Sequence, residues 1–339
     1  MAIGVMTAGG DCPGMNAAIR GVVTRGLAGG AEVVGVHNGW AGLMEGRFHS
    51  MTRDDVRGIL VRGGTILGTS RMDPYVHGDG FESVRETLER TGIETLVVIG
   101  GDGSLRTGSQ LQREGLPVIG VPKTIDNDIG GTDVTFGFHT AVQIVTDAID
   151  RLTTTAESHN RVMVVEVMGR TAGWIAAYAG MAGGAEAILV PEVEYDLEEL
   201  ARRLQRRHDA GHDYSIVVVA EGTPGPEGEE TDTGVDAFGF VRLGGIAQVI
   251  AHELESRTGY ECRAMTLGYL QRGGTPTAFD RILATRFGIK AGELALEGHG
   301  GVMVSLRGDE IVAVDLEEAC RMPRTLDPDR YREAAWFFS

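Results

Sequence analysis

Several short segments set carboxylates, hydroxyls and arginines beside glycines, each where a strand ought to end. Gly100-Gly101-Asp102-Gly103-Ser104 follows the apolar run Thr95–Ile99 and precedes a helix-forming stretch. Such a strand end presents Asp102 at an open edge, and the flanking glycines let a polyphosphate approach the backbone. A magnesium ion is satisfied by one or two carboxylates together with phosphate oxygens and water, so Asp102 is a candidate metal ligand. An aspartate in a tight turn would read the same way. Pro122-Lys123-Thr124-Ile125-Asp126-Asn127-Asp128 closes a second apolar run. Here Asp126 and Asp128 are expected on one side of an extended segment, one to take a proton and the other to orient it or the metal.

Glu166-Val167-Met168-Gly169-Arg170-Thr171-Ala172-Gly173 reads as a strand feeding a helix through glycine. Arg170 is placed there to stabilise charge on a transferring phosphoryl group, although a lone arginine at a strand end is often a surface ion pair. Tyr269-Leu270-Gln271-Arg272-Gly273-Gly274, with Arg161 and Arg263, adds guanidinium groups that can grip phosphate bidentately. Glu221 follows Ile216–Ala220 and can accept hydrogen bonds from sugar hydroxyls or simply end a strand in solvent. Gly9-Gly10-Asp11-Cys12-Pro13-Gly14-Met15-Asn16 offers backbone N–H groups to phosphate, but has neither the Walker A spacing nor the three-glycine dinucleotide fingerprint.

The elements that must hold these groups alternate along the chain. Apolar runs at Ile3–Thr7, Val33–Val36, Leu96–Ile99, Val118–Val121, Val162–Val167, Ala187–Val190 and Ile216–Ala220 predict strands. Helical spacing of Met15, Ala18, Ile19, Val22 and Val23, and of Ala141, Ile144, Val145, Ala148 and Ile149, predicts crossover helices between them. Asp196 with Glu199 predicts a capping box for a helix ending near Ala210. Val302–Leu306 and Ile311–Val314 predict a β-hairpin, and the polar stretch Gly222–Gly239 a mobile surface loop. The fold class expected is α/β, with two lobes of parallel sheet flanked by helices.

A chain of 339 residues exceeds what one core usually serves, which predicts two lobes with a shared cleft. The net charge of -17 argues against nucleic acid or an anionic membrane as partner, and requires a local arginine cluster if the substrate carries phosphate. The widely spaced Cys12, Cys262 and Cys320 fit reduced thiols and a cytoplasmic setting. No signal peptide or membrane span is legible, so no membrane partner is expected.

Taken together and in order, Gly-Gly-Asp-Gly-Ser, Thr-Ile-Asp-Asn-Asp, Glu-Val-Met-Gly-Arg and Gln-Arg-Gly-Gly resemble the phosphofructokinase family across nearly the whole chain. The first motif alone also resembles the diacylglycerol-kinase and NAD-kinase families. The resemblance implies a phosphofructokinase-like fold with the site in the cleft between lobes. It implies a mainly phosphoryl-donor-binding lobe at 1–138, a mainly sugar-phosphate-binding lobe at 139–305, and a C-terminal segment, 306–339, returning to the first lobe. It places Gly10, Arg71, Met72, Gly101, Asp102, Gly103 and Ser104 at the donor, with Asp102 on Mg2+. Asp126 becomes the base that takes the 1-hydroxyl proton of fructose 6-phosphate, supported by Thr124 and Arg170. The sugar phosphate would meet Thr124, Ile125, Asp126, Met168, Gly169, Arg170, Glu221, Tyr269, Leu270, Gln271 and Arg272. Arg161 and Arg263 would reach it from a neighbouring subunit of a homodimer or homotetramer.

The sequence departs from the family at two places. Tyr269 stands where many members have histidine, and of the basic effector-site positions Arg20 and Arg53 match while Thr24, Thr153 and His212-Asp213 do not, so effector control is expected to be weak or absent. On the donor, Gly103 resembles the ATP-using forms and Lys123 the pyrophosphate-using ones. Lys123 is one of only two lysines, the other being Lys290. ATP is the expected donor, because nothing visible excludes a nucleotide, and pyrophosphate is the alternative. A nucleotide-binding oxidoreductase would need the missing glycine fingerprint, and a non-catalytic sugar-phosphate sensor would have no use for Asp102 and Asp126 together.

Overall fold

The computed structural model describes residues 1–76, 78–226, 228, 232–235, 241–321 and 323–338. The chain forms two units, Met1–Thr140 with Arg272–Pro323, and Ala141–Gln271 with Arg324–Ser339.

In the first unit the order begins β1 (Ala2–Ala8), α1 (Met15–Ala28), β2 (Glu32–Val36), α2 (Gly39–Glu45), β3 (Phe48–Ser50), α3 (Gly80–Thr91), β4 (Ile93–Gly100), α4 (Asp102–Arg113), β5 (Val118–Thr124) and β6 (Phe136–Gly137). The helix α5 (Phe138–His159) starts here and continues into the second unit. There follow β7 (Val162–Val167), α6 (Trp174–Ala182), β8 (Ala187–Leu189), α7 (Leu197–Asp209), β9 (Ser215–Ala220), β10 (Asp232–Val235), β11 (Val241–Leu243), α8 (Ile246–Thr258), β12 (Cys262–Thr266) and a 3-10 turn at Gly268–Arg272. The chain then rejoins the first unit as α9 (Ala278–Leu296), β13 (Val302–Arg307), β14 (Glu310–Asp315) and α10 (Leu316–Arg321), and α11 (Pro328–Ala335) belongs to the second.

The first unit's sheet runs β14-β13-β5-β4-β1-β2-β3, with β6 beside β5. Its centre is parallel, and the antiparallel strands β14 and β3 close its edges. Every residue of β1 is buried, as expected of a parallel strand covered on both faces. A core of Met6, Val36, Trp40, Leu96, Val98, Leu105 and Met303 lies on it, each large side chain contributing about 1.5–3 kcal/mol through burial. Helices α1 and α9 pack backbone to backbone. A Cβ on Gly21 would stand 2.7 Å from Thr285 O, and one on Gly288 2.2 Å from Ala18 O, so only glycine fits at the crossing. The buried Asp280 starts two helices: its Oδ2 accepts from Thr140 N at 2.7 Å in α5, and its own N–H donates to the Thr277 cap of α9.

The second unit carries the parallel sheet β12-β7-β9-β8. Its core joins Val164, Leu189, Leu200, Val217, Val219, Ile250 and Leu254. The Asp196 cap forms, its Oδ1 accepting from Glu198 N at 2.8 Å and Glu199 N at 3.2 Å. Glu199 turns to Arg206 instead of completing the box.

The α/β architecture with mixed parallel sheets flanked by helices agrees with the sequence reading; several details differ. The division places 272–305 with the first unit, because α9 lies along α1 and β13 pairs with β5. Of the C-terminal segment, 306–323 does lie with the first unit, while Arg324 onward lies with the second. The predicted hairpin forms as β13 and β14 and extends the larger sheet. Strand β12 was missed because exposed Arg263, Met265 and Thr266 break the apolar run that marks the other strands. Within Gly222–Gly239, residues 227, 229–231 and 236–239 lie outside the described residues, and Asp232–Val235 forms a strand paired antiparallel with β11. All three cysteines are buried thiols, and burial pushes Cys12 and Cys262 up to about 12 and Cys320 up to about 11. No described helix is long and apolar enough to cross a membrane.

Candidate active site

Three parallel strands of the first unit end side by side and carry the candidate groups. The register pairs Ala8 of β1 with Gly100 of β4, and Gly100 with Pro122 of β5. The two glycine turns and the acidic motif therefore leave the sheet at one edge. Lys123 lies beneath them, 3% exposed, and donates to the carbonyl of Gly10. A Cβ on Gly9 or Gly101 would stand 3.7 and 3.9 Å from its Nζ. Burial pulls the Lys123 pKa down, offset by Cys12, Asp11 and Asp126 and aided by Arg272.

After Thr124 the chain turns, and this corrects the expected extended segment. Asn127 adopts φ 55°, and its Oδ1 accepts from Thr135 N at 3.0 Å, while Thr135 Oγ1 donates to Thr124 O at 2.8 Å. Asp126 and Asp128 are thus brought near each other by a stapled turn, not by strand alternation. Asp126 N donates to Thr124 Oγ1 at 3.1 Å. Although Asp126 is half-buried as a residue, its Oδ1 is closed to solvent and has no partner among the described residues. Burial raises its pKa, against the pull of Arg272 and Lys123. Asp128 is pushed up to about 7, first by burial and then by Asp126, with Asp102 adding to the effect and the Thr124 hydroxyl easing it. Ile125 is wholly buried.

Asp102 opens α4, where Gly101 is the N-cap. Arg106 Nε donates to both its oxygens at 2.9 Å, with the two side chains 54% and 44% exposed. An ion pair this wet is worth at most about 1 kcal/mol and can open to a cation. Asp102 also raises Asp128 through space, so the carboxylates here repel one another. Among the described residues no group of three or more His, Cys, Asp or Glu side chains is placed to hold a metal ion, so Asp102 could serve Mg2+ only together with phosphate oxygens and water. At Gly103 an added Cβ would meet nothing within 4 Å. Ser104 is half-buried near the Gly9 turn, its Oγ 3.2 Å from where a Gly9 Cβ would stand. Arg71 is exposed and Met72 packs on the first unit's core. Arg272 Nη1 donates to Asp11 O at 3.2 Å and lies against Gly10, and its Nε is buried without a partner among the described residues.

The second unit carries the remaining candidates around β7, β9 and β12. Met168 is buried, Gly169 takes φ 138°, and Arg170 is exposed on the turn into α6. Glu221 N donates to Val167 O at 2.8 Å at the end of β9. Arg161 Nη2 lies 2.9 Å from Glu261 Oε1, and Arg263 pairs with the same oxygen. A shared carboxylate thus lies between the two arginines. Tyr269 and Leu270 are 75% and 68% exposed, whereas Gln271 is fully buried. Gln271 Oε1 accepts from Met168 N and its Nε2 donates to Gly268 O, both at 3.1 Å, so this side chain ties the 3-10 turn to the strand end before Arg170. Arg106 and Glu261 were missed in the sequence. The i,i+4 spacing of Asp102 and Arg106 was the signal for the first; the second needed the β7–β12 pairing.

Residues 2–295 match the family model described as Phosphofructokinase. The chain is 53% identical over 342 residues, covering all of both chains, to pyrophosphate–fructose 6-phosphate 1-phosphotransferase of Amycolatopsis methanolica. It is 51% identical over 337 residues, 98% of this chain and 99% of the relative, to ATP-dependent 6-phosphofructokinase 3 of Streptomyces coelicolor. Among solved structures, that of Pichia pastoris phosphofructokinase in the T-state superposes with a TM-score of 0.85 at 33% identity, covering 94% of this chain and 35% of that longer one.

Proposed function

Since the chain belongs to the phosphofructokinase family and is a phosphotransferase, we propose that it transfers the γ-phosphoryl group of ATP to the 1-hydroxyl of fructose 6-phosphate. Asp126 takes the hydroxyl proton, the 1-oxygen forms its bond to the γ-phosphorus, and the bond to the β–γ bridging oxygen breaks, releasing ADP. The observation that carries this reading is Asp126 Oδ1, an acceptor closed to solvent and without a partner among the described residues. A buried polar atom of that kind costs about 1–3 kcal/mol, a cost explained if a substrate hydroxyl completes it. The raised pKa of Asp126 brings its proton affinity closer to what general-base catalysis near neutral pH needs.

Thr124 and Arg170 support the transferred group, and Gly10, Arg71, Met72 and Gly101–Ser104 hold the donor. Asp102 would hold Mg2+, which when bound neutralises developing phosphate charge. Glu221, Met168, Gly169 and Tyr269–Arg272 receive the sugar phosphate, with Arg161 and Arg263 supplied by a second copy of the chain in a homodimer or homotetramer. The exposure of Arg263, the half-buried setting of Arg161 and their shared Glu261 support a role toward an external anion. The cytoplasm suits this substrate and the reduced cysteines.

ATP rests on the open space at Gly103. A pyrophosphate reading is favoured by Lys123, whose buried amine lies against both glycine turns, and relatives named for either donor stand within two percentage points, at 53% and 51%. The test is turnover of fructose 6-phosphate with magnesium and ATP or pyrophosphate in parallel. Faster turnover with ATP is expected; turnover with pyrophosphate alone would reassign the donor, and none with either would sink the reading.

A further inference from the structure

Arg170 is exposed on the turn between β7 and α6, and that turn contains glycine at 169 and at 173, which leaves its backbone intrinsically loose. It is nevertheless fixed at both ends. Behind Arg170, Gly169 O accepts from Gly222 N at 3.1 Å. Ahead of it, Gly173 N donates to both carboxylate oxygens of Glu192 at 3.0 Å, and Glu192 Oε1 also accepts from Leu326 N at 2.8 Å. Trp174 Nε1 donates to Arg324 O at 3.1 Å, and the Arg324 guanidinium lies 4.0 Å from the centre of the Trp174 ring. Leu326 is 2% exposed, and Tyr331 of α11 donates to Ile188 O at 2.9 Å. The segment supplying Arg324 and Leu326 lies beyond residue 295, where the match to the family model stops.

We propose that Glu192, with the segment Arg324–Leu326, is a positioning device for Arg170: the carboxylate links the exit of the Arg170 turn to the end of the chain and so fixes where the guanidinium points. This rests on the reading that Arg170 stabilises the transferring phosphoryl group. Charge-assisted bonds from two backbone N–H groups to one carboxylate are strong for their size, and the Trp174–Arg324 contact closes the same link from the helix side. Positioning matters here because a displacement of about 1 Å in a charge-stabilising group can cost up to about a hundred-fold in rate.

The test is a double-mutant cycle in the full chain, with Glu192→Gln and Arg170→Ala singly and together, reading kcat and both KM values. Glu192→Gln is expected to lower kcat about ten-fold with the donor KM unchanged, and to have no further effect once Arg170 is alanine. An undiminished effect in the Arg170→Ala background would show a general structural role and overturn the inference while leaving the Arg170 reading intact. If Arg170→Ala alone leaves kcat unaltered, it is the Arg170 reading that fails. Trp174→Phe keeps the ring beneath Arg324 but removes the bond to Arg324 O, and is expected to give a smaller loss of about three-fold with the same dependence on Arg170. Should Glu192→Gln not fold, judged by thermal melting, this second variant decides by the same criteria.

Discussion

At the end of β5, Asp126, Asp128 and Lys123 are drawn into the protein, and burial moves all three away from their ordinary proton affinities. Around β7 and β12, Arg161, Arg170 and Arg263 stay at least partly wet, and Arg161 and Arg263 are already engaged by Glu261. The two regions prepare polar groups by different means. In the first, solvent is removed and proton affinities shift; in the second, charge is kept at least partly in water and held by a shared partner. Guanidinium groups suit the second arrangement, since they stay charged in any surroundings and offer fixed donor geometry.

The contrast breaks most readily at Asp126. Asp126→Ala is expected to lower kcat by about 10²–10⁴-fold with little change in fructose 6-phosphate affinity, whereas Arg263→Ala should raise the KM for that substrate and leave kcat nearly intact. Steady-state kinetics of both variants beside direct binding measurements checks this, and a pure KM effect at Asp126 would erase the distinction. Gly103→Asp comes next in size. The site has room for the side chain and an acidic group suits the first turn of α4, so folding should survive while ATP use falls at least about ten-fold more than pyrophosphate use. Equal losses with the two donors would show that this position does not read the nucleotide. The smallest expected effect is on pH dependence. Because Asp126 must be ionised to act and its pKa is raised, activity is lost as pH falls through that raised value. Asp126 adds to the upward push on Asp128, so Asp126→Asn should let Asp128 ionise at lower pH, read by NMR titration of its carboxyl carbon. An unmoved titration would mean that burial alone sets the affinity of Asp128.

Which parts of this were legible in the sequence follows from how local each feature is. Continuous apolar runs revealed seven buried strands because parallel strands covered on both faces have little choice of residue. The Asp196 cap was readable because a cap depends on groups within four consecutive positions. The turn at Asn127 was not readable, since it depends on Thr135, and an extended path was the simplest guess for alternating aspartates. Nor was the allocation of 272–305, which is decided by a glycine-lined helix crossing between positions far apart in the chain. Gln271 was read as a substrate contact on family resemblance, and what the sequence did not reveal is that its side chain also binds a strand end to a 3-10 turn within the second unit.

The burial of Lys123 has a practical side. With two lysines in the chain and one of them 3% exposed beneath the glycine turns, acylating reagents meet Lys290 on α9 as the accessible lysine of the folded protein. Dyes or surfaces coupled to lysine would therefore attach at one defined side chain, paired only loosely with Glu293 at 3.6 Å. Appearance of a modified Lys123 in a peptide digest would then serve as a covalent record of how often the strand ends have opened.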